Sequence, residues 1–484
     1  MRLIRWLAAL AALALVAACG GGGGGGDSGG GTSQSVAFSC ASRHVLATIA
    51  GTTASAALVP QCNAPPTSCT ASPATATCGS QGGQWVVTGS VAGDYTITWG
   101  HTASAGVAAG TWDGGKVTVA ARSTALNQVP LVVDAGPVEF PSGTYNRLYV
   151  DVTVCKPGSA TQCVTVDHVA VDTGSIGLRL FDSDALDALG LDTVVVGGAE
   201  AWSCQQYGAS ESWGSLKTVD VRMGGELAAA TPIQLMNDPA RAIPAACSAI
   251  GLVNTAANFN GKGLLGLKNT GIGIQQGGLT WYACNSGGCS ASTPAQVAAT
   301  PNITNPVAAF GADANGVIVQ LQSVPAMGAT SATGTLTFGI GTQDDNALAG
   351  VTVIPTDGYT VRTTWQGVTY QSVLDTGTGF IILPSMAAPY CGDSTVYCPA
   401  TTQTLSAAIS GIDSTQVAVT FDVANYFQLF GQADRPRALD DIAMYIDFPD
   451  APVNWGLPFF FGRSVYIAYT DAATPSGNAP FVAF

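Results

Sequence analysis

Cationic side chains are scarce in this chain. Lys and Arg number 17 against 31 Asp and Glu in 484 residues, a formal net charge of −14. Nucleic-acid surfaces need clustered basic residues, so that class of partner is excluded. Histidine is scarcer still, with only three: His44, His101 and His168. A Ser-His-Asp triad would have to use His168, four residues before Asp172 and placed as a strand residue. Zinc is disfavoured as well, because no Cys-x-x-Cys pairs recur and the histidines stand apart from the cysteines. The glycine-rich runs never end in Gly-Lys-Ser/Thr, so none is a P-loop. Charged residues are only 10% of the chain while hydrophobic ones are 47%, which excludes a disordered chain and predicts a globular one. The length leaves room for two or three domains.

The apolar run from Trp6 to Ala18 is too short to span a bilayer but suits a signal sequence, with Arg2 and Arg5 ahead of it. It ends in Val16-Ala17-Ala18-Cys19, which resembles the lipobox of bacterial lipoproteins. That resemblance implies a signal peptide over 1–18, cleavage before Cys19 and lipid attachment there. Gly20 follows the lipidated position rather than Asp, so sorting to the outer membrane is expected, facing the periplasm or the surface. Residues 19–33 form a tether in which Gly20 to Gly31 are almost all Gly, with a reach of roughly 20 Å. Lipidation would make the membrane a partner through the N-terminus alone.

Once Cys19 is set aside, 12 of the 13 cysteines remain, an even number suited to an oxidising compartment. Cys155/Cys163, Cys284/Cys289 and Cys391/Cys398 are spaced as local disulfide loops. Cys204/Cys247 and two bridges among Cys40, Cys62, Cys69 and Cys78 are possible further pairings, with the connectivity open.

Residues 34–125 form a block of their own, with Trp85–Val91, Asp94–Trp99 and Lys116–Val119 patterned as strands between Gly-rich turns. A small β-sandwich is expected there. The Gly93-Asp94-Tyr95 lead-in resembles bacterial immunoglobulin-like modules, and binding module and spacer both stay open as its role. Beyond this block the pattern remains β, and Phe181–Leu191 is expected to be a short helix. Two segments repeat one design. Arg147–Val154, a turn and Cys163–Asp172 deliver Val171-Asp172-Thr173-Gly174-Ser175. Tyr359–Thr364, a turn at Gln366-Gly367 and Val368–Asp375 deliver Leu374-Asp375-Thr376-Gly377-Thr378, 203 positions later. The repeat predicts two lobes, 126–340 and 341–484, facing each other across a cleft.

These residues resemble the pepsin family of bilobal aspartic proteases. Tyr207-Gly208, Gly214 and Thr218–Val221 resemble the family's flap hairpin; Gly263-Leu264-Leu265-Gly266-Leu267 resembles the segment supporting the first active-site loop. Leu336–Gly339 resembles the strand joining the lobes, and Asn454-Trp455-Gly456 with Phe459 and Val465–Tyr469 the counterpart segment of the second lobe. More narrowly, the chain is similar to a group of proteobacterial lipoproteins with this fold. The resemblance implies an all-β, bilobal pepsin-like fold and an aspartic endopeptidase acting on peptide or protein substrates. An alternative from another class is a non-catalytic peptide-binding or surface-structural lipoprotein on the same fold.

Two carboxylates within hydrogen-bond distance cannot both ionise cheaply, so they share a proton. Asp172 and Asp375 are therefore the expected catalytic pair, activating water without metal, cofactor or covalent intermediate. A glycosidase also uses paired carboxylates, but not in Asp-Thr-Gly contexts. Gly174 and Gly377 are expected to let backbone amides reach the carboxylates. Ser175 and Thr378 are placed to donate to the outer carboxylate oxygens. By resemblance, Thr173 and Thr376 bond across the lobe interface and Tyr207 closes the flap over substrate. Several positions depart from the family. Arg179 stands where a flap-supporting Trp is usual, free to stack on Tyr207, to bond its hydroxyl or to be solvated. If Arg179 entered the cleft it would lower the titration of the pair and favour acidic substrates. Gly379 replaces a common Ser, Leu457 stands where an acid is frequent, and the long 268–335 stretch is expected to restrict or cover the cleft.

Overall fold

The computed structural model describes residues 36–41, 45–50, 53–58, 61–72, 76–81, 84–89, 93–104, 106–119, 127–137, 139, 144–207, 210–248, 255–269, 277–384, 389–392, 394–431, 435–446, 452–470, 472–475 and 479–484. Cys19, its tether and Gly208 lie outside them. Among these residues no helix is long and apolar enough to cross a membrane.

Near the N-terminus two antiparallel sheets form beside the short strand pair Cys40–Ala41 and Gln61–Cys62. One has four strands, Val45–Ala50, Thr53–Leu58, Gln84–Gly89 and Ala76–Gln81; the other has Ser68–Ser72, Gly93–His101 and Gly110–Val119. Val87 from the first and Tyr95, Ile97 and Trp99 from the second share one buried cluster, as a sandwich requires.

The rest of the chain builds two large sheets. The first runs through 16 described strands. Leu148–Cys155 and Cys163–Asp172 form its central hairpin, pairing Tyr149 with Ala170 and Cys155 with Cys163. Gly263–Leu267 lies parallel to the strand that ends in Asp172 and antiparallel to Ile176–Phe181. All five of its residues are buried, as expected of a strand covered on both faces. Strands Val353–Pro355, Ser464–Ala468 and Phe481–Ala483 join this sheet through Gly316–Leu321 and Ala332–Phe338, so residues from both sides of position 340 meet in it.

The second sheet repeats the same plan with seven strands. Val361–Trp365 and Val368–Leu374 form a hairpin closed by Gln366 (φ 49°) and Gly367 (φ 80°). Two successive left-handed residues give the turn whose twist matches a two-residue hairpin. Val453–Trp455 runs parallel to the strand leading to Asp375 and antiparallel to Ile381–Leu383.

The helix expected over Phe181–Leu191 is shorter than the sequence suggested. Phe181 ends the strand Ile176–Phe181, and only Asp184–Asp187 is helical, capped by Ser183. Phe181 pairs with Met236 in the sheet, and that burial overrides the local helical pattern. Five disulfides have both partners described: Cys69–Cys78, Cys155–Cys163, Cys204–Cys247, Cys284–Cys289 and Cys391–Cys398. Cys62 is also disulfide-bonded and faces Cys40 in strand register.

Candidate active site

Each Asp-Thr-Gly segment leaves the buried end of a strand and turns back before the next strand of its sheet. The two turns meet. Thr173 Oγ1 accepts from the Thr376 amide (3.0 Å) and donates to the Leu374 carbonyl (2.8 Å). Thr376 Oγ1 accepts from the Thr173 amide (3.1 Å) and donates to the Val171 carbonyl (2.8 Å). Both threonines are buried, so these four reciprocal bonds satisfy groups that water cannot reach. The loops are thereby held in one geometry relative to each other.

The carboxylates carry matching donors. Asp172 Oδ1 accepts from the Gly174 amide (2.7 Å) and Oδ2 from Ser175 Oγ (2.6 Å). Asp375 Oδ1 accepts from the Gly377 amide (2.9 Å) and Oδ2 from Thr378 Oγ1 (2.7 Å). Neither Gly174 nor Gly377 is left-handed, so special φ values do not explain them. Space does. A Cβ on Gly174 would lie 2.8 Å from Asp375 Oδ1, and one on Gly377 2.6 Å from Asp172 Cγ. Any side chain there would push the opposite carboxylate away. Asp172 and Asp375 hydrogen-bond each other, and burial followed by the charge on Asp375 pushes the Asp172 carboxyl up to about 7. A pair in this state can hold one proton while its other member accepts one.

The strands Ala199–Tyr207 and Ser210–Met223 pair antiparallel, with Tyr207 opposite Ser210 at their end. The charge on Asp172 reaches the Tyr207 hydroxyl, whose titration is raised chiefly by burial. Arg179 resolves into one of the arrangements left open. It is 0% exposed, its guanidinium carbon lies 5.9 Å from the Tyr207 ring centroid, and it donates to the Ile176 carbonyl (2.5 Å) and Gln205 Oε1 (3.2 Å). It therefore backs the flap tyrosine instead of entering the cleft, and the condition for a lowered titration of the pair is not met. Gly379 sits beside Asn146, whose side chain donates to the Gly379 carbonyl (2.9 Å) and to that of Leu439 (2.7 Å). His168 lies in its strand at φ 51°, between Asp167 Oδ2 (2.7 Å) and Asp134 Oδ2 (3.3 Å). Leu457 is fully buried, which gives an apolar residue the advantage there over an acid.

Part of the 268–335 stretch, expected to restrict or cover the cleft, builds onto the edge of the flap sheet. Its hairpin Leu279–Asn285 and Gly288–Ala291 pairs along the outer edge of the flap strand Ala199–Tyr207. Trp202 stacks on Trp213 (5.2 Å), Tyr282 meets Trp213 edge-on, and Cys204–Cys247 pins the same strand. The hairpin of this stretch widens the flap sheet.

Two site residues escaped the sequence reading. Asn454 donates from Nδ2 to Asp375 Oδ2 (2.9 Å) and to Thr378 Oγ1 (3.1 Å). A polar residue inside an apolar strand was the available signal. Lys268, directly after Gly263–Leu267, senses the charges of both aspartates, while burial lowers its own titration; its Nζ lies 3.2 Å from the Tyr359 ring centroid. A lysine immediately after a wholly apolar strand was the signal for it. Among the described residues no group of three or more His, Cys, Asp or Glu is placed to hold a metal ion.

Fold and site together define a bilobal, all-β protein with one Asp-Thr-Gly turn per lobe. The family model described as "Protein of unknown function (DUF3443)" matches residues 123–484, and the chain belongs to that family. No curated protein matches it. Among solved structures the chain is similar to an aspartic proteinase from Irpex lacteus, at 16% identity and a TM-score of 0.42, over 74% of this chain and 96% of that one.

Proposed function

We propose that this protein is an aspartic endopeptidase that hydrolyses peptide bonds in peptide or protein substrates. The observation that carries the reading is the pairing of Asp172 and Asp375 on loops locked together by reciprocal threonine bonds. An unused acid pair buried in this way would only destabilise the fold. In the proposed reaction the ionised carboxylate takes a proton from a water held between the two groups. The water oxygen bonds to the peptide carbonyl carbon, and the protonated carboxyl gives its proton to the oxyanion. Proton transfer to the peptide nitrogen then lets the carbon–nitrogen bond break, and both carboxyls return to sharing one proton. Tyr207 on the flap excludes water and seats the substrate backbone.

We further propose that the protein belongs with lipid-anchored proteins of the bacterial cell envelope, held in the outer membrane by Cys19. The lipobox-like Val16–Cys19 supports this, and the disulfides fit an oxidising compartment. Replacing Cys19 by Ala is expected to move the protein out of the membrane fraction, and retention there would count against the anchor.

The test of catalysis is cleavage of a peptide library by the full chain, from about pH 3 to about pH 7, beside Asp172→Asn and Asp375→Asn. Cleavage by the wild type alone supports the reading and reports specificity. Peptide binding without turnover in all three would favour a non-catalytic peptide-binding lipoprotein instead.

A further inference from the structure

Beside each aspartate the two halves place different chemistry at one equivalent strand position. In the first, Val171 pairs with Leu265 and Ala170 with Leu264. In the second, Leu374 pairs with Trp455 and Val373 with Asn454. Counting back from each aspartate, Leu264 and Asn454 occupy equivalent places in the ladder. Leu264 packs with Tyr149, Ala170, Tyr207 and Phe259 and offers no donor. Asn454 reaches Asp375 Oδ2 at 2.9 Å. We infer that Asn454 is a positioning residue that keeps the Asp375 carboxyl ionised and so leaves the shared proton on Asp172.

The chemistry of the donors carries this inference. A hydroxyl such as Ser175 can donate to a carboxylate or accept from a carboxylic acid, so alone it tolerates either state. An amide NH2 only donates. Placed on Asp375 Oδ2, it favours the charged form and opposes a proton on that oxygen. Asn454 also donates to Thr378 Oγ1, which then has its own hydrogen free to point at Asp375 Oδ2. Asp375 thus accepts three fixed donors, from Gly377, Thr378 and Asn454. Asp172 accepts two, one of them reversible.

The other charged groups facing the pair do not cancel this difference. Lys268 acts on both aspartates. Arg147 acts on Asp172, but its guanidinium stacks on the Phe259 ring at 4.5 Å and makes only a through-space interaction with the carboxylate. Tyr207, also facing Asp172, is neutral at these pH values because burial raises its titration. A direct charge-assisted bond at 2.9 Å outweighs such longer interactions. The raised titration of Asp172 runs in the same direction. In peptide hydrolysis the assignment makes Asp375 the group that takes the proton from water and Asp172 the one that protonates the carbonyl oxygen. That catalytic meaning rests on the peptidase reading; the protonation order does not.

The experiment is a carboxyl titration of the full chain labelled with 13C at aspartate side chains, with the two resonances assigned by Asp172→Asn and Asp375→Asn. In the wild type Asp375 is expected to ionise first. Asn454→Leu, which copies Leu264, should raise the Asp375 titration by about one pH unit, tenfold in proton affinity. Asn454→Ser, which asks little of the packing, should shift it in the same direction. Asp172 ionising first in the wild type, or an Asp375 titration unmoved in both variants, would overturn the assignment. A purely structural role would lower thermal stability without changing the order. The predicted order in a chain that cleaves no peptide sinks the peptidase reading alone; cleavage with the order reversed sinks this inference alone.

Discussion

Beside each aspartate the two lobes lay down the same backbone and fill it with opposite chemistry. In the first lobe Arg179 faces Leu264 across the ladder; in the second, at the same places, Ile382 faces Asn454. The polar residue has changed strands. On the first side it serves the flap, because Arg179 spends its guanidinium behind Tyr207. On the second side it serves the carboxylate, because Asn454 bonds Asp375 directly. The flap itself belongs to one lobe, with its Trp202–Trp213 stack and Cys204–Cys247 clamp. Two-fold backbone geometry is thus enough to bring two acids together, and the departures from symmetry are what can give them separate tasks.

Removing either acid should break the comparison most completely. Asp172→Asn and Asp375→Asn are each expected to lower kcat/KM by at least about a thousandfold, since each leaves the pair without either its acid or its base. The pH dependence of stability should separate Asp172 from a bystander. Its folded carboxyl binds a proton up to about 7 that the unfolded chain, at the ordinary 3.8, has already lost. Between those values the folded state holds more protons, so stability falls as pH rises. Glu226, also pushed up to about 7 by burial and its bond to Asp313, adds a slope of the same sign. Asp172→Asn should therefore remove part of the decline, read from denaturant unfolding between about pH 4 and about pH 7. An unchanged slope would mean that Asp172 is ionised throughout.

The Cys204–Cys247 clamp of the first lobe comes next. Replacing Cys204 and Cys247 by Ala opens a link of sequence separation 43 and should cost about 4 kcal/mol by the chain-entropy relation. Faster amide exchange should appear in Ala199–Met223 while the second sheet keeps its protection. The central threonines test the shared symmetry. Thr173→Val and Thr376→Val each leave a buried amide and a buried carbonyl without a partner, at a cost of about 2–4 kcal/mol. Equal losses in thermal unfolding are expected from the matching bonds; a large inequality would show that one loop is held by other means. The smallest change is Arg179→Ile, which copies Ile382. It removes a buried charge and also unpairs two acceptors, so stability should move by less than about 1 kcal/mol. Substrate preference between acidic and neutral peptides should stay the same, because Arg179 lies behind the tyrosine.

The hairpins, the paired Asp-Thr-Gly turns and the even cysteine set were legible from local pattern. Alternation, glycine-bearing turns and short Cys spacings are properties of neighbouring residues, and neighbouring residues report them. In Leu148–Cys155 the buried Val150, Val152 and Val154 alternate with exposed Asp151 and half-buried Thr153. The Phe181 helix failed where a long-range partner, Met236, offered burial that the local pattern could not foresee. The roles of Ser175 and Thr378 could be anticipated because each lies three residues after its aspartate.

By itself, then, the sequence determined that strands would dominate, that two acids would sit on equivalent turns, and which hydroxyls would accompany each. Only the tertiary structure decided the environment of those acids. Asn454 is 79 residues from Asp375, Lys268 is remote in sequence from both aspartates, and Arg179 meets Tyr207 only because two strands of one sheet converge. The physical reason is that protonation depends on donors and charges within a few ångströms in space. Sequence distance carries almost no information about that neighbourhood until the sheets have closed on each other.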